Sequence, residues 1–265
     1  MSFHLHRGTL PLLVSIPHMG TRIPEALQAA YVPRALGVED ADWHLDRLYA
    51  FARELGASVL QAAIARYVID LNRPPDDTPM YPGASNTELC PTRFFNGEPL
   101  YREGAAPAPE DRVQRRALYW EPYHQALQQE LQRLRARHGW VLLWDGHSIR
   151  SEIPWLFEGR LPDLNIGTAD GTSAHAAITQ AVQGAAARHG GYTHVANGRF
   201  KGGYITRHYG RPADHVHAVQ LEMCQCLYMR EAPPYDWDEA AASRVMPVVR
   251  GMVEAALDAG RMLHG

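Results

Sequence analysis

The chain has 265 residues, with 26 Lys plus Arg against 29 Asp plus Glu and a formal charge of -3. That balance argues against a nucleic-acid binder, and 46% apolar with 21% charged residues excludes long disorder. No apolar run approaches the ~20 residues that cross a bilayer, and Cys90, Cys224 and Cys226 cannot all pair, so a reducing cytoplasmic setting with no membrane partner is expected.

Leu10 to Ile16 (LPLLVSI) reads as a strand, and Val38 to Leu55 as a helix with Leu45, Leu48, Tyr49, Phe51 and Ala52 on one face. Tyr67 to Leu71 (YVIDL) reads as the next strand. From Arg73 to Gly104 the chain is rich in Pro and Gly without clean periodicity, which predicts a functional excursion over the surface, a candidate lid. A long amphipathic helix is predicted from about Glu110 to His138, stopped by Gly139, with a strand at Val141 to Trp144. Strands are expected at Leu161 to Ile166, Thr193 to Ala196 and His217 to Met223. Helices are expected at Ser173 to Arg188 and Asp236 to Leu263. Alternation of this kind indicates an α/β domain with a central parallel or mixed sheet. No repeat or linker divides the chain, so residues 1–265 are expected to form one catalytic domain.

Four strand candidates end in, or carry, polar residues. LLVSIPH ends at His18; YVIDLNR carries Asp70, Asn72 and Arg73; VLLWDGH ends in Asp145 and His147; HAVQLEM carries Glu222 inside an apolar run. Ligand crevices of open α/β sheets lie beyond the carboxyl ends of strands, so the four segments are expected to converge. Two histidines and a carboxylate with an open position are the usual ligands of a catalytic zinc, and a further carboxylate can act as base. His18 and His147 are the histidine candidates, and DADWHLDRLY offers Asp40, Asp42, His44 and Asp46. HExxH, GxGxxG after a strand, GxxxxGK[ST] and GxSxG are all missing, which removes the usual zincins, nucleotide-binding folds and serine hydrolases. Lys201 is the only lysine, so a lone arginine is weak as a sign of function, and its neighbours must carry the case.

The segments SIPHMG, DWHLDRLY, ARYVIDLNR, WDGHSI, GRFKGGYITRHYG and AVQLEM, in this order, resemble the N-formylglutamate amidohydrolase (N-formylglutamate deformylase) family of histidine degradation. ARYVIDLNR also resembles the aspartoacylase and succinylglutamate desuccinylase group, relatives of the zinc carboxypeptidases. The resemblance implies a phosphorylase/hydrolase-like three-layer α/β sandwich with a central mixed sheet and one divalent ion, zinc, at the strand ends. It implies His18 and His147 as ligands, Glu222 as general base, and Arg66, Asn72 and Arg73 as the substrate-carboxylate group. The carboxypeptidase-like pattern has a glutamate ligand three residues after the first histidine; Thr21 stands there, so the carboxylate falls to Asp42, with Asp46 as the alternative. The implied substrate carries two carboxylates, and guanidinium forks suit both. Arg66 with Asn72 and Arg73 is expected to take one, and Arg207, assisted by Lys201 and His208, the other. The Gly202-Gly203 pair predicts a mobile or closely approached loop. Two other readings compete: a deacylase for another N-acylated acidic amino acid, and a non-catalytic binding protein for an acidic metabolite.

Overall fold

The structure, a computed structural model, describes residues 1–80 and 87–265. Its described strands form one mixed sheet: β1 (Phe3–His6), β2 (Leu12–Ile16), β3 (Ser58–Ala62), β4 (Val141–Ile149), β5 (Leu164–Gly167), β6 (His194–Ala196) and β7 (Val216–Cys224). The order across the sheet is β1-β3-β2-β4-β7-β5-β6. β1 is antiparallel to β3 and β5 to β7, while the remaining neighbours are parallel. The helices are α1 (Glu25–Gln28), α2 (Leu45–Leu48), α3 (Ala50–Leu55), α4 (Pro109–Arg115), α5 (Glu121–His138), α6 (Ala176–Arg188), α7 (Tyr204–Tyr209) and α8 (Glu239–His264).

The layers follow from the pleat. β2 is buried along its whole length, as a central strand covered on both faces must be. Leu12, Val14 and Ile16 share a core with α6 and α8, whereas Leu13 faces Tyr123, Leu127, Leu131 and Leu134 of α5. Local signals set the helix ends. Gly139 closes α5 at φ +78, and the Asp238 side chain accepts the Ala241 amide at 2.9 Å to start α8. Among the described residues, no helix is long and apolar enough to cross a membrane.

Several boundaries differ from the sequence expectation. The predicted helix at 38–55 is helical only in α2 and α3. Val38 and His44 are left-handed at φ 42 and 60, and the segment between them bonds elsewhere, as when the Asp42 amide donates to the His18 carbonyl at 3.0 Å. YVIDL is not a strand. The Asp70 carboxylate accepts the Asn72 amide at 2.8 Å, which turns the chain, and Tyr67 and Val68 pack beside Tyr31 and Phe94. The strand in that region is β3, whose Ser58 and Gln61 hide it from an apolar-run search. β1 and α7 were not expected at all. Conversely, β4 continues past Trp144 to Ile149, carrying Asp145 and His147 on one face. Of the predicted 73–104 excursion, residues 81–86 lie outside the described residues; its later part buries Phe94, Leu100 and Tyr101.

Candidate active site

The carboxyl ends of β2, β4 and β7 lie side by side. His18 follows β2, His147 lies near the end of β4, and Glu222 pairs with His147 in register on β7. The turn at 70–73 and the irregular segment before α2 close over them. One cavity is lined by His18, Arg66, Asn72, Arg73, His147 and Glu222, with Gln220, Phe95 and Arg199 among its other walls.

Two carboxylates orient the two histidines. Nε2–H of His18 donates to Asp70 Oδ1 at 2.6 Å, which leaves Nδ1 as a bare lone pair. That Nδ1 is buried and has no hydrogen-bond partner among the described residues. Nε2 of His147 faces Asp145 Oδ2 at 3.1 Å, and its Nδ1 faces Asp42 Oδ2 at 3.1 Å. Asp42 is 1% exposed, and one ligand atom from each of His18, Asp42 and His147 lies within 4.8 Å of the other two. A bare ring nitrogen beside a buried carboxylate needs a positive centre between them. The donor set of two imidazoles and one carboxylate suits zinc, and each histidine has the carboxylate behind it that metal-bound histidines use. The three residues therefore fit a divalent cation.

Electrostatics sharpen this picture. Burial lowers the His18 pKa, with Arg66 adding to the effect. Burial also opposes the charge on Asp70, but His18, Arg73 and Arg66 outweigh it and hold that carboxyl well below the usual range. Burial likewise opposes a charge on His147, yet Asp145 and Asp42 raise its pKa well above the ordinary value. Glu222 is pushed up to about 8, chiefly by burial, with His147 opposing and Asp42 adding to the rise. A carboxyl so perturbed, beside a cation site and open to a cavity, is placed for proton transfer.

Not every expected residue reaches the cavity. Asp46 is exposed in the first turn of α2, where it answers the helix dipole, so the alternative ligand is set aside. Lys201 pairs with Asp170 at 3.0 Å, the Arg207 Nε donates to the Gly202 carbonyl, and His208 stacks on Tyr204. None of these three lines the cavity. Within the other predicted group, Arg66 is held by Asp70 at 2.7 Å. Asn72 accepts the Ile205 amide at 2.8 Å through Oδ1 and turns its Nδ2 to His147 and Asp145 at 2.9 and 3.2 Å. Both position the site, and Arg73 keeps the free donors. Sequence reading missed Asp70 and Asp145 as orienting groups, and it missed Arg199 and Gln220. Arg199 did carry a usable signal: it follows a predicted strand, as His18 does.

The family model for N-formylglutamate amidohydrolase matches residues 10–229. The chain is 52% identical over 255 residues to the N-formylglutamate deformylase of Pseudomonas aeruginosa, covering 96% of each. It is 51% identical over 252 residues to that of Pseudomonas putida, covering 95% of this chain and 94% of the relative. The crystal structure of N-formylglutamate amidohydrolase from Ralstonia eutropha JMP134 superposes with a TM-score of 0.81 at 26% identity, covering 98% of this chain and 97% of that one.

Proposed function

Because the chain belongs to the N-formylglutamate amidohydrolase family, we propose that it hydrolyses N-formyl-L-glutamate to L-glutamate and formate, in histidine degradation. It does so as a single catalytic domain with one divalent cation, zinc, held by His18, Asp42 and His147. The observation that carries this reading is the buried, unpartnered Nδ1 of His18, aimed at the place where Asp42 and His147 converge beside Glu222. A recognition site alone has no use for that arrangement.

When bound, the cation supplies Lewis acidity to the formyl oxygen and lowers the pKa of the attacking water. The chain does the rest. Asp70 keeps the proton of His18 on Nε2, and Asp145 with the Asn72 amide holds His147 from its Nε2 side, so both Nδ1 atoms face inward. Glu222 takes a proton from the attacking water and returns it to the departing nitrogen, so that amine rather than amide anion leaves. Burial keeps that carboxyl a strong enough base to accept the proton. Arg73 receives the carboxylate on the carbon that bears the scissile nitrogen. Among the described residues three of its donors are used, Nε and Nη2 on Thr87 and Nη1 on the Asn72 carbonyl, which leaves two N–H groups.

Zinc-loaded protein should release formate and glutamate in equal amounts from N-formyl-L-glutamate. His18→Ala and His147→Ala should lose metal and activity together. Glu222→Gln should keep fold and metal, yet lose roughly three decades of kcat with little change in KM. Full metal occupancy in both histidine variants, or near-normal kcat in folded, metal-loaded Glu222→Gln, would overturn these roles.

A further inference from the structure

A dianionic substrate needs two cationic partners, and the cavity offers three arginines among its described lining residues: Arg66, Arg73 and Arg199. Arg66 is already committed. Its guanidinium lies 2.7 Å from Asp70 and 3.8 Å from Asp42, and it packs on the Phe95 ring. Arg73 and Arg199 form no ion pair within 4 Å among the described residues, and their hydrogen bonds there go to neutral oxygens. Among the described residues Arg199 uses a single donor, Nη2 to the Leu156 carbonyl at 2.8 Å. A guanidinium has five donors, so four remain for a ligand.

The two arginines come from opposite flanks of the sheet. Arg73 follows the β3 side and Arg199 the β6 edge, with the histidines and Glu222 on the strands between. Their depths also differ. Arg73 is bonded to Asn72, whose side chain touches His147, so it stands beside the reacting atoms. Arg199 is exposed and belongs to the outer wall with Leu156. In an N-acylglutamate the α-carboxylate is fixed close to the scissile bond, while the side-chain carboxylate reaches outward.

We propose that Arg199 is the specificity-determining residue that binds the side-chain carboxylate of the substrate, in the place the sequence reading gave to Arg207, Lys201 and His208. This assignment rests on the proposed function. It deepens that reading by stating why a glutamate derivative is chosen over its neutral analogues. A planar fork at a half-open mouth favours a carboxylate bidentately, and an amide offers it one acceptor in place of two.

The experiment compares wild type, Arg199→Gln and Arg199→Lys on N-formylglutamate, N-formylglutamine and the α-amide of N-formylglutamate. Wild type should favour N-formylglutamate over N-formylglutamine by about a hundredfold in kcat/KM. Arg199→Gln should lose that preference, through a rise in KM for N-formylglutamate of about a hundredfold, while its kcat/KM for N-formylglutamine stays within about threefold. Its discrimination against the α-amide should persist. Arg199→Lys should recover part of the preference, since charge returns without the fork. Undiminished preference in Arg199→Gln, equal losses on both substrates, or loss of discrimination against the α-amide instead would overturn the assignment of Arg199. Failure of metal-loaded wild type to release formate from N-formylglutamate would overturn the functional reading itself, a separate and recognisable result.

Discussion

Asp70 and Asp145 carry the site without touching a ligand position, and they do so under different constraints. Asp70 fixes the His18 tautomer, balances Arg66 and turns the chain through the Asn72 amide. Asp145 lies on β4 and serves His147, sharing the Asn72 side-chain amide with it. Neutralising either carboxylate weakens the hold on its imidazole, and losses of this kind are about 10- to 100-fold in metal affinity. The two variants should nevertheless part company in stability. Asp70→Asn takes the nearer of two carboxylates from the buried Arg66 guanidinium and leaves it only Asp42 at 3.8 Å, which costs up to about 3–5 kcal/mol, whereas Asp145→Asn removes no arginine's partner among the described residues. Metal-competition titration and urea unfolding of the two proteins check this directly. Unchanged zinc affinity in Asp145→Asn would show that the histidine needs no carboxylate behind it.

At the scale of elements, the contact between α7 and the 70–73 turn decides the shape of the cavity. Gly203 caps the start of α7, and a Cβ there would clash with Asn72 Nδ2, while the Gly203 amide donates to Gln220 at 2.7 Å. Gly203→Ala must displace Asn72 and therefore His147. A loss of at least about tenfold in kcat/KM is expected, with far-UV dichroism unchanged, and wild-type turnover would mean the contact relaxes harmlessly. This contact also marks where sequence legibility stopped. The apolar runs of β2, β4 and β7 were readable because burial on both faces demands them, and with them came His18, His147 and Glu222. Asp42 was reached as one of the acids of DADWHLDRLY, once Thr21 stood in the place of the relatives' glutamate; the helix expected to present it begins only at Leu45, and a left-handed His44 bends the chain before it. YVIDL failed as a strand because a side chain, Asp70, captured the next backbone amide but one. Arg207 lies on α7, a helix too short to leave a periodic signal, and it is not among the residues that line the cavity, whereas Arg199 is.

The whole molecule carries -3 with its 14 histidines neutral, and mild acid charges the exposed ones together, so the share of a single buried group in the acid response is read by substituting that group. His124 on α5 is the clearest case. Its Nε2–H donates to the Leu71 carbonyl at 2.8 Å, its Nδ1 meets the Tyr209 hydroxyl at 2.9 Å, and its ring stacks on Trp120 at 3.7 Å. Trp120 in turn donates to the Arg73 carbonyl, so this cluster braces the turn that carries Asn72 and Arg73 from behind. Both ring nitrogens are satisfied in the neutral form. Burial accordingly lowers the His124 pKa to about 3, with the Leu71 contact opposing and His208 adding a little. An unfolded histidine titrates near 6.5, so between about pH 3 and 6.5 the unfolded chain binds the extra proton. Stability from this group is therefore complete above about pH 6.5 and falls as the pH drops, by about 1.4 kcal/mol per unit until about pH 3. His217, lowered to about 4 chiefly by burial, acts in the same direction. Comparing wild type with His124→Gln cancels that contribution and those of the other histidines. Glutamine keeps one donor and one acceptor but no proton to gain, so the variant should be less stable at pH 7 and lose less on acidification. From pH 6.5 to pH 5 the gap between the two proteins should close by about 2 kcal/mol in urea unfolding. A gap that stays constant over that interval would mean that His124 carries its proton within the folded protein, and that the brace behind the 70–73 turn is charged.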